Sequence, residues 1–128
     1  MAVKMLMIGL GGFTGSVLRY ALSGLVQQGL GSIYFPYGTL AINLVGCLLI
    51  GFLSHLSETY GLFAEESRSL VFIGLLGGFT TFSTFANETW NLLRDGENGL
   101  GLANAGAHLL GGLLTVWVGR AVAHVLWR

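Results

Sequence analysis

Charged side chains are scarce in this chain of 128 residues: Lys, Arg, Asp and Glu together make up only 9% of it. Soluble domains carry roughly 25% charged residues, so these few cannot cover a water-exposed globular surface. The six basic and six acidic residues leave a formal net charge of zero. No basic face is therefore available for a nucleic acid backbone, and we expect no nucleic acid partner.

Cysteine and proline are almost absent, with one residue of each. The single cysteine, Cys47, excludes an internal disulfide framework and a cysteine-based zinc cluster. The single proline, beside 21 glycines, excludes a collagen-like or proline-rich chain. Since 53% of the residues are hydrophobic, the class that remains is an integral membrane protein.

Four apolar stretches are long enough to cross a bilayer, whose core needs about 20 consecutive apolar residues per helix. They cover about residues 5–26, 38–55, 69–93 and 100–126. The first is too long for the apolar region of a secretory signal peptide and lacks a clear cleavage site. The sequence predicts one all-α transmembrane domain over residues 1–128, with four membrane-spanning helices.

Basic residues are distributed almost evenly between the two predicted membrane faces. Four lie on or near the side of the termini and two on the other: Lys4, Arg68, Arg120 and Arg128 against Arg19 and Arg94. This is a weak positive-inside signal, compatible with one biased orientation or with insertion in both. A pore built from 128 residues requires an oligomer, and we expect a homodimer.

Small residues recur at four-residue spacing, at Gly11 and Gly15 and again at Gly111, Thr115 and Gly119. Such faces let helix backbones approach closely in lipid. They serve either packing within the chain, which is the default, or contact between chains.

The third apolar stretch carries the strongest functional signal. Gly77 and Gly78 lie midway along it, where glycine weakens a helix. An unwound turn at this depth is tolerated only where it is buried in protein or lines a cavity, and it frees backbone carbonyls. The alternative is a glycine pair that only permits close helix packing.

Hydroxyl and aromatic side chains alternate after these glycines. Thr80, Thr81, Ser83 and Thr84 supply four hydroxyls within five residues, interleaved with Phe82 and Phe85. An aromatic edge is electropositive, so this alternation favours a path for an anion. Each phenylalanine taken alone is more typical of core packing.

Four more polar residues within the spans are candidates for a path or its vestibule. Asn43 either donates to an anion or only hydrogen-bonds another helix. Arg19 either attracts anions or extends its guanidinium to the interface. Glu88 lies near the end of its span and could reach the headgroups, and His108 is more typical of a satisfied interhelical donor. We find no catalytic constellation and expect no enzymatic activity.

Two motifs resemble those of the Fluc (CrcB) fluoride channels: PYGTLAINLVG at 36–46 and GGFTTFSTF at 77–85. The GSVLR segment at 15–19 fits as well, and the four spans in this order cover essentially the whole chain. The resemblance implies an antiparallel, dual-topology homodimer with two pores and a third helix broken mid-membrane. It implies a multi-pass protein of the cell inner (plasma) membrane that exports cytoplasmic fluoride passively and so lowers its toxicity.

The resemblance also implies roles for individual residues. Asn43 would face the pore, Phe82 and Phe85 would contact fluoride, and Ser83 and Thr84 would belong to its polar track. The carbonyls of Gly77 and Thr80 would bind a structural Na⁺ at the dimer centre. Arg19 would match a basic residue of the family's first helix, and Glu88 a family carboxylate. Ala86 departs from several relatives, which carry a serine there, and Asn104, Gly112 and His108 depart from some.

The main alternative is a small multidrug-type proton-coupled exporter, which also has four short helices. That class is expected to carry an essential carboxylate in its first helix, and residues 5–26 contain no Asp or Glu. A packing subunit that transports nothing is a second alternative, but it would not require the hydroxyl–phenylalanine alternation.

Overall fold

Four long helical spans make up the chain in a computed structural model, which describes residues 1–127. Helix α1 covers Ala2–Leu30, α2 Tyr37–Tyr60, the third span Glu65–Arg94 and α6 Asn98–Leu126. Each contains one of the predicted stretches and extends it at one or both ends. All four are long and apolar enough to cross a membrane, so the all-α, four-span prediction is confirmed.

The third span is assembled from several segments. It begins with α3, Glu65–Arg68, which continues into a π-helical stretch, Ser69–Leu76, and then α4, Gly77–Phe79. The helix resumes as α5, Phe82–Arg94. Between α4 and α5, Thr80 and Thr81 are extended, with φ and ψ of −91° and 158° at Thr80 and −149° and 112° at Thr81. Gly77 and Gly78 themselves lie in the helical turn before these two residues.

Backbone contacts between α1 and the third span explain several of the glycines. A Cβ atom on Gly15 would overlap the backbone of Leu75 and Phe79, and one on Gly78 would lie 2.7 Å from the Gly12 carbonyl oxygen. Gly78 therefore serves close packing. Gly77 differs, since a Cβ there would meet only the Phe72 carbonyl oxygen at 3.9 Å.

Helix α6 packs against both α2 and α5. A Cβ on Gly119 would overlap the backbone of Leu48 and Phe52 in α2, and one on Gly51 would overlap Val116 in α6. The small-residue faces found in the sequence thus serve packing within the chain at Gly11, Gly15 and Gly119, as the default interpretation expects.

The ends of the spans are held by polar contacts. Gln27 donates to the carbonyl oxygen of Phe35 at 3.1 Å and accepts from the Gly38 N–H at 2.9 Å, which orders the turn between α1 and α2. At the other end, Arg120 forms an ion pair with Glu58 at 2.6 Å, and Lys4 forms one with Glu65.

Candidate functional site

The side chain of Asn43 in α2 closes the interruption of the third span. Its Nδ2 donates to the carbonyl oxygen of Thr81 at 3.0 Å, and its Oδ1 accepts from the Thr81 N–H at 2.8 Å. The amide oxygen thus replaces the helical acceptor that the Thr81 N–H has lost, which is the interhelical alternative that the sequence left open. One hydrogen of Nδ2 is not used by this pair, and Asn43 also lines a groove, so its predicted pore role stays a prediction.

The backbone carbonyls of Gly77 and Thr80 are among those that lose their helical donors at the interruption. In an α-helix the carbonyl of Gly77 would accept from the N–H of Thr81, but that N–H donates to Asn43. The carbonyl of Thr80 would accept from Thr84, whose N–H instead donates to the Thr81 hydroxyl at 3.3 Å. Gly77 and Thr80 are the two residues predicted to offer carbonyls to a cation.

Thr81 is the N-terminal cap of α5, a role the sequence analysis did not separate from the polar track. Its hydroxyl accepts from the backbone of Thr84 and donates to the Thr84 hydroxyl at 2.9 Å. Thr81 is buried, whereas Ser83 and Thr84 are exposed on this single chain. The hydroxyls of Ser83 and Thr84 are thus the ones that lie on an open face.

Phe82, Phe85 and His108 form an aromatic cluster between α5 and α6. The rings of Phe82 and Phe85 meet edge to face with centroids 5.4 Å apart, and Phe85 stacks on the imidazole of His108 at 4.2 Å and 30°. Phe82 is 79% exposed, so this chain alone does not bury it. A core-packing role is therefore excluded for Phe82 within a single chain.

An open groove of about 680 Å³ joins these features. Its walls come from α2, the third span and α6, and they include Asn43, Gly77, Thr80, Phe82, Phe85 and His108. Most of the exposed wall is apolar, and the uncharged polar groups lie at the interruption and beside the phenylalanines. Seven of the predicted residues, Thr81 among them, thus line one groove, whereas Ser83 and Thr84 are not part of its lining.

Glu88 lines a different cavity, of about 340 Å³, together with Asn91, Asp95 and Glu97. It is half-buried, and its Oε1 accepts from the Thr39 hydroxyl at 2.7 Å. Its other carboxylate oxygen is buried and has no partner among residues 1–127. The carboxyl group is therefore bound to α2 and does not extend freely toward headgroups.

Arg19 lies one turn after Gly15 on α1 and is partly buried. Its guanidinium makes no hydrogen bond or ion pair with any of residues 1–127 that the structure describes. It does not line the groove, so the structure leaves Arg19 apart from the cluster around Asn43.

His108 does not make the interhelical hydrogen bond that its position suggested. Its Nδ1 lies 3.0 Å from the carbonyl oxygen of Asn104, one turn earlier on the same helix. The link between α6 and α5 comes instead from Asn104, whose Nδ2 donates to the Thr89 hydroxyl at 2.9 Å. Asn104 and His108, one turn apart on α6, therefore both contact α5.

Thr39 and Thr89 are the site residues that the sequence analysis missed. Thr39 precedes Asn43 by one turn, and Thr89 follows Phe85 by one turn. Helical spacing from residues already chosen would have pointed to both. A lone threonine in an apolar helix usually bonds its own backbone, as Thr89 does with the carbonyl of Phe85, and so gave no separate signal.

Comparison with known proteins assigns this arrangement to a family. Residues 6–120 match the sequence model described as CrcB-like protein, Camphor Resistance (CrcB). A protein of Methanosarcina acetivorans named Fluoride-specific ion channel FluC 1 is 47% identical over 118 residues, which cover 92% of this chain and 88% of that protein. Fluoride-specific ion channel FluC of Opitutus terrae is 48% identical over 120 residues, covering 92% and 90%, and that of Chlorobium phaeobacteroides is 44% identical over 123 residues, covering 96% and 94%.

Proposed function

Since this chain belongs to the CrcB family, we propose that it is a fluoride-selective channel through which cytoplasmic fluoride leaves the cell passively. It is a multi-pass membrane protein and not an enzyme, and the cell inner (plasma) membrane is where such export lowers fluoride toxicity. The observation that carries the proposal is the groove in which Asn43, Phe82 and Phe85 lie beside the interrupted span.

The chemistry of this groove suits fluoride, which is small and strongly hydrated. A channel for it must replace tightly held water with donors, and yet bind weakly enough to release the ion. Within the groove, the amide of Asn43 and the ring edges of Phe82 and Phe85 are uncharged donors of this kind. The exposed hydroxyls of Ser83 and Thr84 follow Phe82 on α5, outside the groove lining, and would extend the path. No Lys or Arg lines the groove in the described chain, so no permanent positive charge would trap the anion.

The multidrug-type exporter finds no support in this site. The described helix α1 carries no Asp or Glu, whereas such an exporter is expected to hold an essential carboxylate there. The half-buried carboxylate that the chain does have, Glu88, lies outside the groove and accepts from Thr39. Arg19 would serve at most to attract anions into a vestibule.

The working unit in this proposal is an antiparallel homodimer with two pores. Four residues of the third span are exposed on the single chain: Gly77, Phe82, Ser83 and Thr84. Only the phenylalanine among them suits a lipid-facing surface. A second copy facing the groove would cover them and close the path. The chain has six basic and six acidic residues, and the basic residues show only a weak preference for one membrane face. Such a distribution suits insertion in both orientations.

A structural Na⁺ at the centre of that dimer fits the donors present. The carbonyls of Gly77 and Thr80 have lost their helical partners, and Gly77 carries no side chain to obstruct approach. Hard cations prefer oxygen ligands, and two carbonyls from each copy would supply four. The ion would hold the two interruptions together, while the anion path itself is built from this chain's own side chains.

Fluoride efflux from liposomes tests the proposal most directly. Purified protein is reconstituted into vesicles loaded with KF or KCl, and a fluoride or chloride electrode follows release after valinomycin is added. We expect rapid fluoride release and much slower chloride release. Vesicles that retain fluoride as well as protein-free vesicles would overturn the proposal and favour a packing subunit.

A further inference from the structure

His108 has one ring nitrogen whose state the structure specifies. Its Nδ1 lies 3.0 Å from the backbone carbonyl oxygen of Asn104. A carbonyl only accepts, so Nδ1 carries the hydrogen, and Nε2 of the neutral ring holds a lone pair. The side chain of Asn104 is fully buried and donates to Thr89, so the turn that presents this carbonyl is held in place. Asn104 is thus a positioning residue for the imidazole.

The second nitrogen of the ring has no protein partner. Nε2 is buried and makes no hydrogen bond to any of residues 1–127, and His108 lines the groove beside Phe85. The imidazole stacks on that phenylalanine at 4.2 Å.

The groups that face His108 from neighbouring helices carry little charge. Cys47 of α2 is the titratable side chain that lines the same groove. On α5, Glu88 lies in the other cavity and accepts from Thr39. Within the described chain no Lys, Arg, Asp or Glu lines the groove. A proton on Nε2 would therefore find its compensating charge in an anion within the groove.

We propose that His108 is a proton-controlled anion site on the fluoride path. In the neutral ring, Nε2 presents a lone pair, which repels fluoride. When Nε2 takes a proton from water, it becomes an N–H donor beside Phe85 and binds the anion. This inference rests on the proposed fluoride function and adds a pH dependence to it, with passage rising as the pH falls.

Fluoride efflux measured across a pH series tests this inference. The protonated fraction of an imidazole rises about tenfold from one unit above its pKa, ordinarily about 6.5, to one unit below. We expect efflux through the wild-type protein, after subtraction of leak from protein-free vesicles, to rise several-fold over such a range. His108→Gln, which cannot titrate, should give efflux independent of pH. The matched control His124→Gln, at the exposed end of α6, should keep the wild-type slope.

The outcomes separate the two proposals. Absence of fluoride efflux at every pH would overturn the channel function itself. Efflux with the same pH slope in wild type and His108→Gln would overturn only the role of His108. A second measurement does not depend on the variant folding: in ¹⁵N spectra of histidine-labelled wild type, added fluoride should move one Nε2 resonance toward the protonated position at constant pH. An unchanged spectrum would contradict the anion site.

Discussion

The side-chain amide of Asn43 hydrogen-bonds both backbone groups of Thr81, at 2.8 and 3.0 Å. One residue of α2 thereby satisfies the N–H that the third span leaves free where its helix stops, and adds a second bond to the carbonyl with which α5 begins. Buried backbone groups without partners are strongly destabilising, above all in a membrane. The interruption is therefore stable because of a neighbouring helix, and the residues that line the groove depend on that contact.

Replacing this amide should affect both stability and transport. Asn43→Ala leaves the N–H of Thr81 without a partner and removes one bond to the Thr81 carbonyl, so we expect the free energy of unfolding to fall by about 2 kcal/mol or more. Fluoride efflux should fall at least tenfold, which corresponds to about 1.4 kcal/mol in a barrier. Thermal unfolding in detergent and liposome efflux measure the two effects. Asn98→Ala, at the exposed start of α6, is the control, and equal behaviour of the two variants would remove Asn43 from the site.

The phenylalanine pair should be required for passage but not for folding. Replacing Phe82 and Phe85 together by leucine retains apolar bulk while removing the ring edges. We expect fluoride efflux to be strongly reduced and the elution volume of the oligomer to be unchanged. Phe13→Leu is a matched control, since Phe13 is 73% exposed on α1 and outside the groove. If the double variant transports like Phe13→Leu, the rings do not contact the ion.

Two glycine substitutions should have opposite effects on stability. A Cβ on Gly15 would overlap the backbone of Leu75 and Phe79, which cannot move aside as a flexible side chain would. Gly15→Ala should therefore destabilise the protein by about 1–3 kcal/mol. A Cβ on Gly24 would meet nothing within 4 Å, and Gly24→Ala should be neutral or stabilising by up to about 1 kcal/mol. Melting curves in detergent compare them, and a Gly15→Ala melt equal to wild type would contradict the tight α1 contact.

Cysteine labelling in intact cells tests insertion in both orientations. In a Cys47→Ser background, Glu66→Cys reports on the start of the third span, and Asn98→Cys on the start of α6, just after that span ends. These exposed positions lie at opposite ends of that span. With dual topology, an impermeant maleimide should label about half of each variant. Labelling of one position alone would show a single orientation.

Removal of sodium should weaken the dimer if the carbonyls of Gly77 and Thr80 bind it. We expect the purified protein to shift from dimer to monomer at low protein concentration when Na⁺ is replaced by N-methylglucamine, because the ion would join two chains. Light scattering coupled to size-exclusion chromatography measures this shift. A dimer that persists equally well without Na⁺ would leave the freed carbonyls without a metal role.

The sequence alone was enough for the class, the four spans and the family. The chain is short, carries few charges and contains apolar stretches of about 20 residues, the length of a membrane-spanning helix. Because every backbone polar group within a bilayer must be paired internally, such stretches are expected to form helices. The motifs at 36–46 and 77–85 identified the CrcB family, which the family match and the FluC relatives confirm. These properties depend on local composition and order along the chain, both of which the sequence contains directly.

Only the tertiary structure decided which atoms meet. The sequence predicted that the third span is weakest at Gly77 and Gly78, but the residues that are extended in the structure are Thr80 and Thr81. Gly78 stays helical because it packs closely against Gly12. The helix is interrupted one turn later, where Asn43 accepts from the free N–H of Thr81. It likewise left open whether Glu88 reaches headgroups and whether His108 bonds another helix. Those outcomes depend on the distance between helices far apart in the chain, and that distance is determined by packing, not by spacing along the sequence.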